Sequence, residues 1–298
     1  METPRFRAVV AVLTVLAVLG ANDVPHGAYA AVKKVLEVPE CGTVKATVEG
    51  RVNKGTNASP GELPWVVSIY YNKLKKDICT GSIITKNHVL TAAHCTITSH
   101  GINNFRVFYG SNVRNKATSK GIAKAITPSI NPAHAAGTPP LLDVQILVLD
   151  GPVQFNAEAR PVCLFGSDST LPSLAGQDAL FGGWGTLDDS LNMPSVLQKS
   201  WFKIVDSKSA ACVKTYGTYT NSTFGICAIS KPATNCKGDS GGPLVIKRDG
   251  LYYQVGSTSF GLGTLKSSCP SPGEPQVFAR VSSAAKFIQD TVANNGGI

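Results

Sequence analysis

Short apolar runs alternate with turn residues over most of the chain. Pro64–Tyr71 (PWVVSIYY), Gly81–Leu90 (GSIITKNHVL), Phe105–Tyr109 (FRVFY), Val144–Leu149 (VQILVL), Pro243–Ile246 (PLVI) and Tyr252–Val255 (YYQV) are rich in Val, Ile, Tyr and Phe. Half-buried strands favour these residues. Their recurrence between turns predicts an all-β sandwich or barrel. Helical periodicity is expected only at the C-terminus. There Ser282-Ser283 can start a helix whose Phe287, Ile288 and Val292 share one face, before Asn294, Asn295 and two glycines end it. There is no internal repeat and no low-complexity tract.

The N-terminus departs from this pattern. Arg5 and Arg7 precede an uncharged apolar run of twelve residues, Ala8–Leu19. A membrane span needs about 20. The run fits the core of a signal peptide, with small residues at Ala28 and Ala30 as a cleavage site and Ala21 as an alternative. Residues 1–30 are therefore read as a signal peptide, with an uncleaved anchor as the alternative. Residues 31–51, ending in Glu49-Gly50-Arg51, lack periodicity and read as a linker or pro-segment. The main domain is 52–298.

Export changes the meaning of the eight cysteines at 41, 79, 95, 163, 212, 227, 236 and 269. An even number in an oxidising compartment implies four disulfides, although eight cysteines allow about 105 pairings. Spacing alone does not choose among them. No C-x-x-C pair is present, so a zinc site has little support.

Composition narrows the class further. The 298 residues are 43% apolar and 16% charged, which excludes a disordered polymer. The 29 glycines and 18 prolines suit many short strands and tight turns. The net charge of +9 could favour an anionic substrate. Basic residues are scattered, however, with only Lys73, Lys75 and Lys76 clustered. That cluster reads as a solvated face, and nucleic-acid binding is not expected.

Three segments carry candidate chemistry. In Thr91-Ala92-Ala93-His94-Cys95, small residues precede a histidine and a cysteine follows it, so a tight turn pinned by a disulfide could fix the ring. In Asn235-Cys236-Lys237-Gly238-Asp239-Ser240-Gly241-Gly242-Pro243, glycines permit close backbone approaches around an exposed hydroxyl. Asp143 heads the apolar strand Val144–Leu149. Each alone also describes an ordinary loop or strand cap.

Together the three resemble the chymotrypsin/trypsin family of serine proteases, with TAAHC at 91–95, GDSGGP at 238–243 and the Asp-led strand at 143–149. Pro64-Trp65, Pro161-Val162-Cys163-Leu164, Gly183-Trp184-Gly185 and Ile226-Cys227-Ala228 match the family's other landmarks in order. The resemblance runs from Cys41 to Val292. It implies two six-stranded antiparallel β-barrels with a C-terminal helix and a cleft between the barrels. It also implies a triad of His94, Asp143 and Ser240, with the backbone N–H groups of Gly238 and Ser240 as the oxyanion hole.

The same resemblance implies the pairings Cys79–Cys95, Cys212–Cys227, Cys236–Cys269 and Cys41–Cys163. Another bridge common in the family is absent at both ends, at Ala179 and Ile246. Activation would follow cleavage of Arg51–Val52, with the new amine folding onto Asp239. The substrate pocket would comprise Thr234, Ser259, Phe260, Gly261 and Gln276. Thr234 lies where a trypsin-like enzyme carries aspartate, so uncharged residues of small to medium size, or polar ones, are expected there. Aromatic side chains are expected only if Gln276 swings aside.

No Asp or Glu lies between Gly110 and Leu142, the region where relatives hold calcium. No cofactor or metal is expected. Asn57 and Asn221 match the glycosylation sequon. The expected partners are protein or peptide substrates, an activating protease and protein inhibitors, in an extracellular setting with no membrane after signal removal. Asn53, Leu142, Gln145 and Gln276 depart from the family's usual residues, and Asn53, Gln145 and Gln276 support an alternative, a non-catalytic homologue that binds proteins. An esterase or lipase is disfavoured: Gly238–Gly242 spells G-x-S-x-G, but it does so within the GDSGGP pattern.

Overall fold

A computed structural model describes residues 34–45, 55–96, 101–127, 142–166, 173–189, 192–217, 223–231, 233–261 and 269–298. Contacts divide the chain after Ala31, and every described residue lies in the unit Val32–Ile298. The expected signal peptide, the Arg51–Val52 bond and Asn221 lie outside the described residues.

The chain enters with the two-residue β1 (Thr56–Asn57) and then builds a closed barrel. Its strands are β2 (Val66–Tyr71), β3 (Lys76–Ile83), β4 (His88–Thr91), β5 (Phe105–Tyr109), β6 (Thr118–Ile126) and β7 (Gln145–Leu149). The order around this barrel is β2-β3-β4-β7-β6-β5. After β8 (Cys163–Leu164) come β9 (Asp178–Gly183), β10 (Gln198–Val205), β11 (Gly225–Ile229), β12 (Pro243–Arg248), β13 (Leu251–Phe260) and β14 (Pro275–Arg280). These six, β9 to β14, close a second antiparallel barrel through the β9–β10 and β9–β12 pairings. β1 pairs with β10, and β8 runs parallel to β13.

Several apolar runs are continuous rather than alternating, and the packing explains why. Successive side chains on a strand face opposite sides. Val67, Val89 and Leu147 fill the first barrel, while their neighbours Val66, Leu90 and Ile146 belong to the core shared with the second. Both faces of β2, β4 and β7 are dry, so both must be apolar. Ala179 and Ile246 are buried in the shared core, where two apolar side chains stand in for a bridge.

Over 34–45 the segment before Arg51 packs against the body. Val35, Leu36 and Val38 are buried in the core, and the Val35 N–H donates to the Leu164 carbonyl at 3.0 Å. One expectation needs correction: the C-terminal helix is not alone. A seven-residue helix, α1 (Ala210–Tyr216), is held by the Cys212–Cys227 disulfide and by the Tyr216 hydroxyl on the Pro275 carbonyl at 2.5 Å. It is too short to show periodicity, and tertiary bonds compensate for marginal intrinsic stability. The C-terminal helix α2 (Ala285–Asn294) follows a 3-10 turn, Val281–Ala284, and buries Ile288 and Val292.

Candidate active site

Thr91 ends β4, and the chain turns through a 3-10 helix, Ala93–Cys95. Ala92 and Ala93 are buried, and the Cys79–Cys95 disulfide ties the turn to β3. The Thr91 hydroxyl donates to the Thr80 carbonyl at 2.8 Å. Gly241 packs directly on this corner in the left-handed region (φ 81°), and a Cβ there would lie 2.1 Å from Thr91 Oγ1. Two motifs remote in sequence are therefore in contact, which is why one uses small residues and the other glycine.

Asp143 is buried and faces the histidine. His94 Nδ1 donates to Asp143 Oδ2 at 2.6 Å, and the His94 backbone N–H donates to Oδ1 at 3.1 Å. The Ser259 hydroxyl also donates to Oδ2, at 2.7 Å. Burial alone would raise the pKa of Asp143. The hydrogen bond and charge of His94, with the Ser259 hydroxyl, outweigh it and hold the carboxyl below its usual range. Burial likewise disfavours the His94 cation, but the bond to Asp143 and its charge lift the imidazole above its ordinary value.

Ser240 sits in a cleft of about 430 Å³ whose lining includes His94, Gly238, Cys79, Lys76 and Met193. The Thr80 N–H donates to the Ser240 carbonyl at 2.9 Å, and the Thr80 hydroxyl donates to the Gly238 carbonyl at 2.8 Å. Gly238 is in the left-handed region (φ 97°). Among the described residues, no acceptor engages the N–H of Gly238 or of Ser240. Both donors are left for a ligand.

Asp239 points away from the cleft, into a second cavity of about 540 Å³ lined in part by Gly55, Gly183, Gly185 and Lys199. Its carboxyl accepts the Gly185 N–H at 2.8 Å and the Cys236 N–H at 2.9 Å. A Cβ on Gly183 or Gly185 would lie 2.2 Å from the carboxyl oxygens, which explains the Gly-Trp-Gly landmark. Among the described residues no cation pairs with Asp239. Burial pushes its pKa up to about 7, against the two N–H donors. Gly55, the first described residue after Val52, lines this same cavity.

The expected substrate pocket is partly rearranged. Gln276 is buried on β14, where its Oε1 accepts the Asn235 N–H at 3.0 Å and its Nε2 donates to the Thr234 hydroxyl at 2.5 Å. A Cβ on Gly261 would lie 3.7 Å from Gln276 Cγ, so the two walls are close. Phe260 packs edge-on against Tyr216. Ser259 turns its hydroxyl to Asp143 rather than into the pocket. Its sequence signal was a polar residue inside a buried strand, whose purpose the strand pattern alone does not reveal.

Gln145 is also accounted for. Its Oε1 accepts from Thr96 at 2.5 Å and its Nε2 donates to Thr127 at 2.8 Å, so its buried amide is satisfied. Leu142 is buried in the shared core. Asn57 is exposed on β1 and its Oδ1 accepts from Gln198 at 2.7 Å.

All four disulfides join the expected partners, including Cys41–Cys163 and Cys236–Cys269. Cys79, His94 and Cys95 are close enough to hold a metal, but both sulfurs are consumed in a disulfide and offer no thiolate.

A model of the trypsin family matches residues 52–288. The chain belongs to the trypsin family. The matched range contains every candidate catalytic residue and both barrels. Membership supports a serine peptidase in general, and such a domain with several disulfides is typical of extracellular proteins.

Proposed function

We propose that this trypsin-family protein is a secreted serine endopeptidase, made as a precursor and activated by cleavage after Arg51. The observation that supports it best is the 2.6 Å bond from His94 Nδ1 to Asp143 Oδ2, with Ser240 in the same cleft as the imidazole.

Ser240 Oγ attacks the scissile carbonyl carbon while His94 Nε2 takes its proton. The carbonyl oxygen becomes an oxyanion facing the N–H groups of Gly238 and Ser240; one such donor is typically worth about 2.7–4 kcal/mol. The C–N bond then breaks as His94 returns its proton to the leaving amine, leaving an ester on Ser240. Water gives a proton to His94 and attacks the ester. The ester C–O bond breaks, the new carboxyl group leaves and Ser240 is reprotonated. Asp143 remains ionised, fixes the tautomer of His94 and stabilises its cation.

Processing would give Val52 a free amine, which folds into the cavity holding Asp239. A charge buried without its partner is destabilising by about 3–5 kcal/mol, so amine and carboxylate would hold each other and the loop carrying Gly238. The pocket floor of Thr234 and Gln276 carries no charge and is narrowed by the Gln276 amide. It suits uncharged side chains of small to medium size.

The test is to cleave the purified chain at Arg51 and add a fluorophosphonate probe. Labelling of Ser240, absent in Ser240→Ala, is the expected result. Correctly processed protein that takes no label would instead be a non-catalytic binding homologue.

A further inference from the structure

Thr80 stands on β3 in the first barrel and grips the loop that carries Ser240 in the second. Its backbone N–H donates to the Ser240 carbonyl at 2.9 Å, and its hydroxyl donates to the Gly238 carbonyl at 2.8 Å. Its own carbonyl accepts the Thr91 hydroxyl at 2.8 Å. Thr80 is 1% exposed, so these bonds are made away from water. Strand pairing to Ser68 on β2 and the neighbouring Cys79–Cys95 disulfide hold the residue in place. Among the described residues, no other donor reaches the Gly238 carbonyl.

Gly238 needs such a hold. It adopts φ 97°, and a residue without a Cβ rotates easily about both of its backbone bonds. The peptide before it is fixed by the Thr186 N–H, which donates to the Lys237 carbonyl at 2.8 Å and so aims the Gly238 N–H. Met193 covers the side where a Cβ would stand, with its Cε 2.2 Å from that position. The peptide after Gly238 joins it to Asp239 and then to the Ser240 N–H, and the Thr80 hydroxyl is what fixes this peptide. Because the same residue also holds the Ser240 carbonyl, one rigid strand position sets the spacing between the two N–H donors. An oxyanion needs both donors at bonding distance together. Without the hydroxyl, the Gly238 carbonyl is a buried acceptor with no donor, and rotation of the Gly238–Asp239 peptide is its way to find one.

We propose that the Thr80 hydroxyl is a positioning group for the oxyanion hole: by holding the Gly238 carbonyl, it keeps the N–H groups of Gly238 and Ser240 at the mutual spacing that the tetrahedral intermediate requires. The proposal rests on the endopeptidase reading above. Thr80 is not among the residues lining the cleft of His94 and Ser240, so it acts through Gly238. Its effect therefore belongs to kcat rather than to KM.

The test uses chain processed at Arg51 and two variants. Thr80→Val keeps the branched shape and removes only the hydroxyl, while Thr80→Ser retains the hydroxyl. The probes are a peptide p-nitroanilide with Ala before the scissile bond and the matching peptide boronic acid, whose tetrahedral adduct on Ser240 places an oxygen at the oxyanion position. For Thr80→Val, kcat should fall about ten- to a hundredfold, as expected when a catalytic group is displaced by about 1 Å. KM should stay within about twofold, and affinity for the boronic acid should fall in parallel with kcat. Thr80→Ser should return kcat to within about threefold of the parent. An unchanged kcat in Thr80→Val overturns the proposal, leaving the Thr186 bond and Met193 sufficient. A loss that Thr80→Ser shares, or one confined to KM, overturns it too. Crystal structures of the parent and both variants report the Gly238–Asp239 peptide independently of turnover. If the parent neither cleaves the anilide nor binds the boronic acid, the endopeptidase reading fails. The positioning role then stands if that peptide rotates in Thr80→Val alone, and falls if it keeps the parent orientation. Should Thr80→Val fail to fold, Thr80→Ala takes its place with the same expectations.

Discussion

The Ser259 hydroxyl donates to Asp143 Oδ2 at 2.7 Å, on the same oxygen that receives the His94 Nδ1–H at 2.6 Å. With the His94 backbone N–H on Oδ1, the buried carboxylate has three donors around it, and no rotation of its side chain would keep them all. Charge-assisted hydrogen bonds are the strong ones in such a setting. Ser259→Ala should therefore lower kcat by about tenfold with little change in KM, and Ser259→Thr should recover part of the loss. Steady-state kinetics on any substrate the processed chain cleaves would check this.

The imidazole must be neutral to accept the serine proton. Because Asp143 lifts the His94 pKa above its ordinary 6.5, kcat/KM should fall as pH drops through an inflection above that value. Asp143→Asn removes the lifting charge, so the inflection should move to lower pH. The plateau should also fall by about 10,000-fold, because asparagine favours the wrong tautomer. A pH–rate profile of both proteins would measure the two effects together.

Asp239 gives the uncleaved chain an unusual dependence of stability on pH. Its folded-state pKa is raised from 3.8 to about 7. Between those values the unfolded chain has lost the proton and the folded chain retains it. Stability should therefore decline as pH rises from about 4 to about 7 and level off above. Asp239→Asn should remove that decline. After cleavage at Arg51, the Val52 amine would lower the Asp239 pKa, and the same substitution should become destabilising. Urea unfolding at several pH values, before and after processing, would show the change of sign.

Gln276 should set the depth of the substrate pocket. Gln276→Gly deletes the amide that bonds Thr234 and Asn235 and leaves space beside Gly261. Burying an aromatic side chain there is worth about 1.5–3 kcal/mol. Cleavage after Phe or Tyr should rise by about ten- to a hundredfold relative to cleavage after Ala. A peptide-library profile of the two proteins would reveal it.

Much of this was legible before any coordinates. The β-rich runs, the C-terminal helix and the glycine-bounded serine are local patterns, and the resemblance ordered them into two barrels with the observed disulfides. Other features were not legible, for identifiable reasons. The α1 helix is shorter than the window periodicity needs. The segment 34–45 has no pattern of its own because it packs on a surface made by others. Gln145 departs from the family's usual residue, and only Thr96 and Thr127 beside it show that its amide is satisfied.

The sequence by itself determined which residues could react and which backbone shapes they could take, because side-chain chemistry, strand period and glycine freedom are properties of neighbours in the chain. Only the tertiary structure decided what meets. Asp143 lies 49 residues from His94 and 116 from Ser259, yet one carboxylate oxygen binds both. Barrel closure and strand register set those distances, and neither is written in any local stretch of the chain.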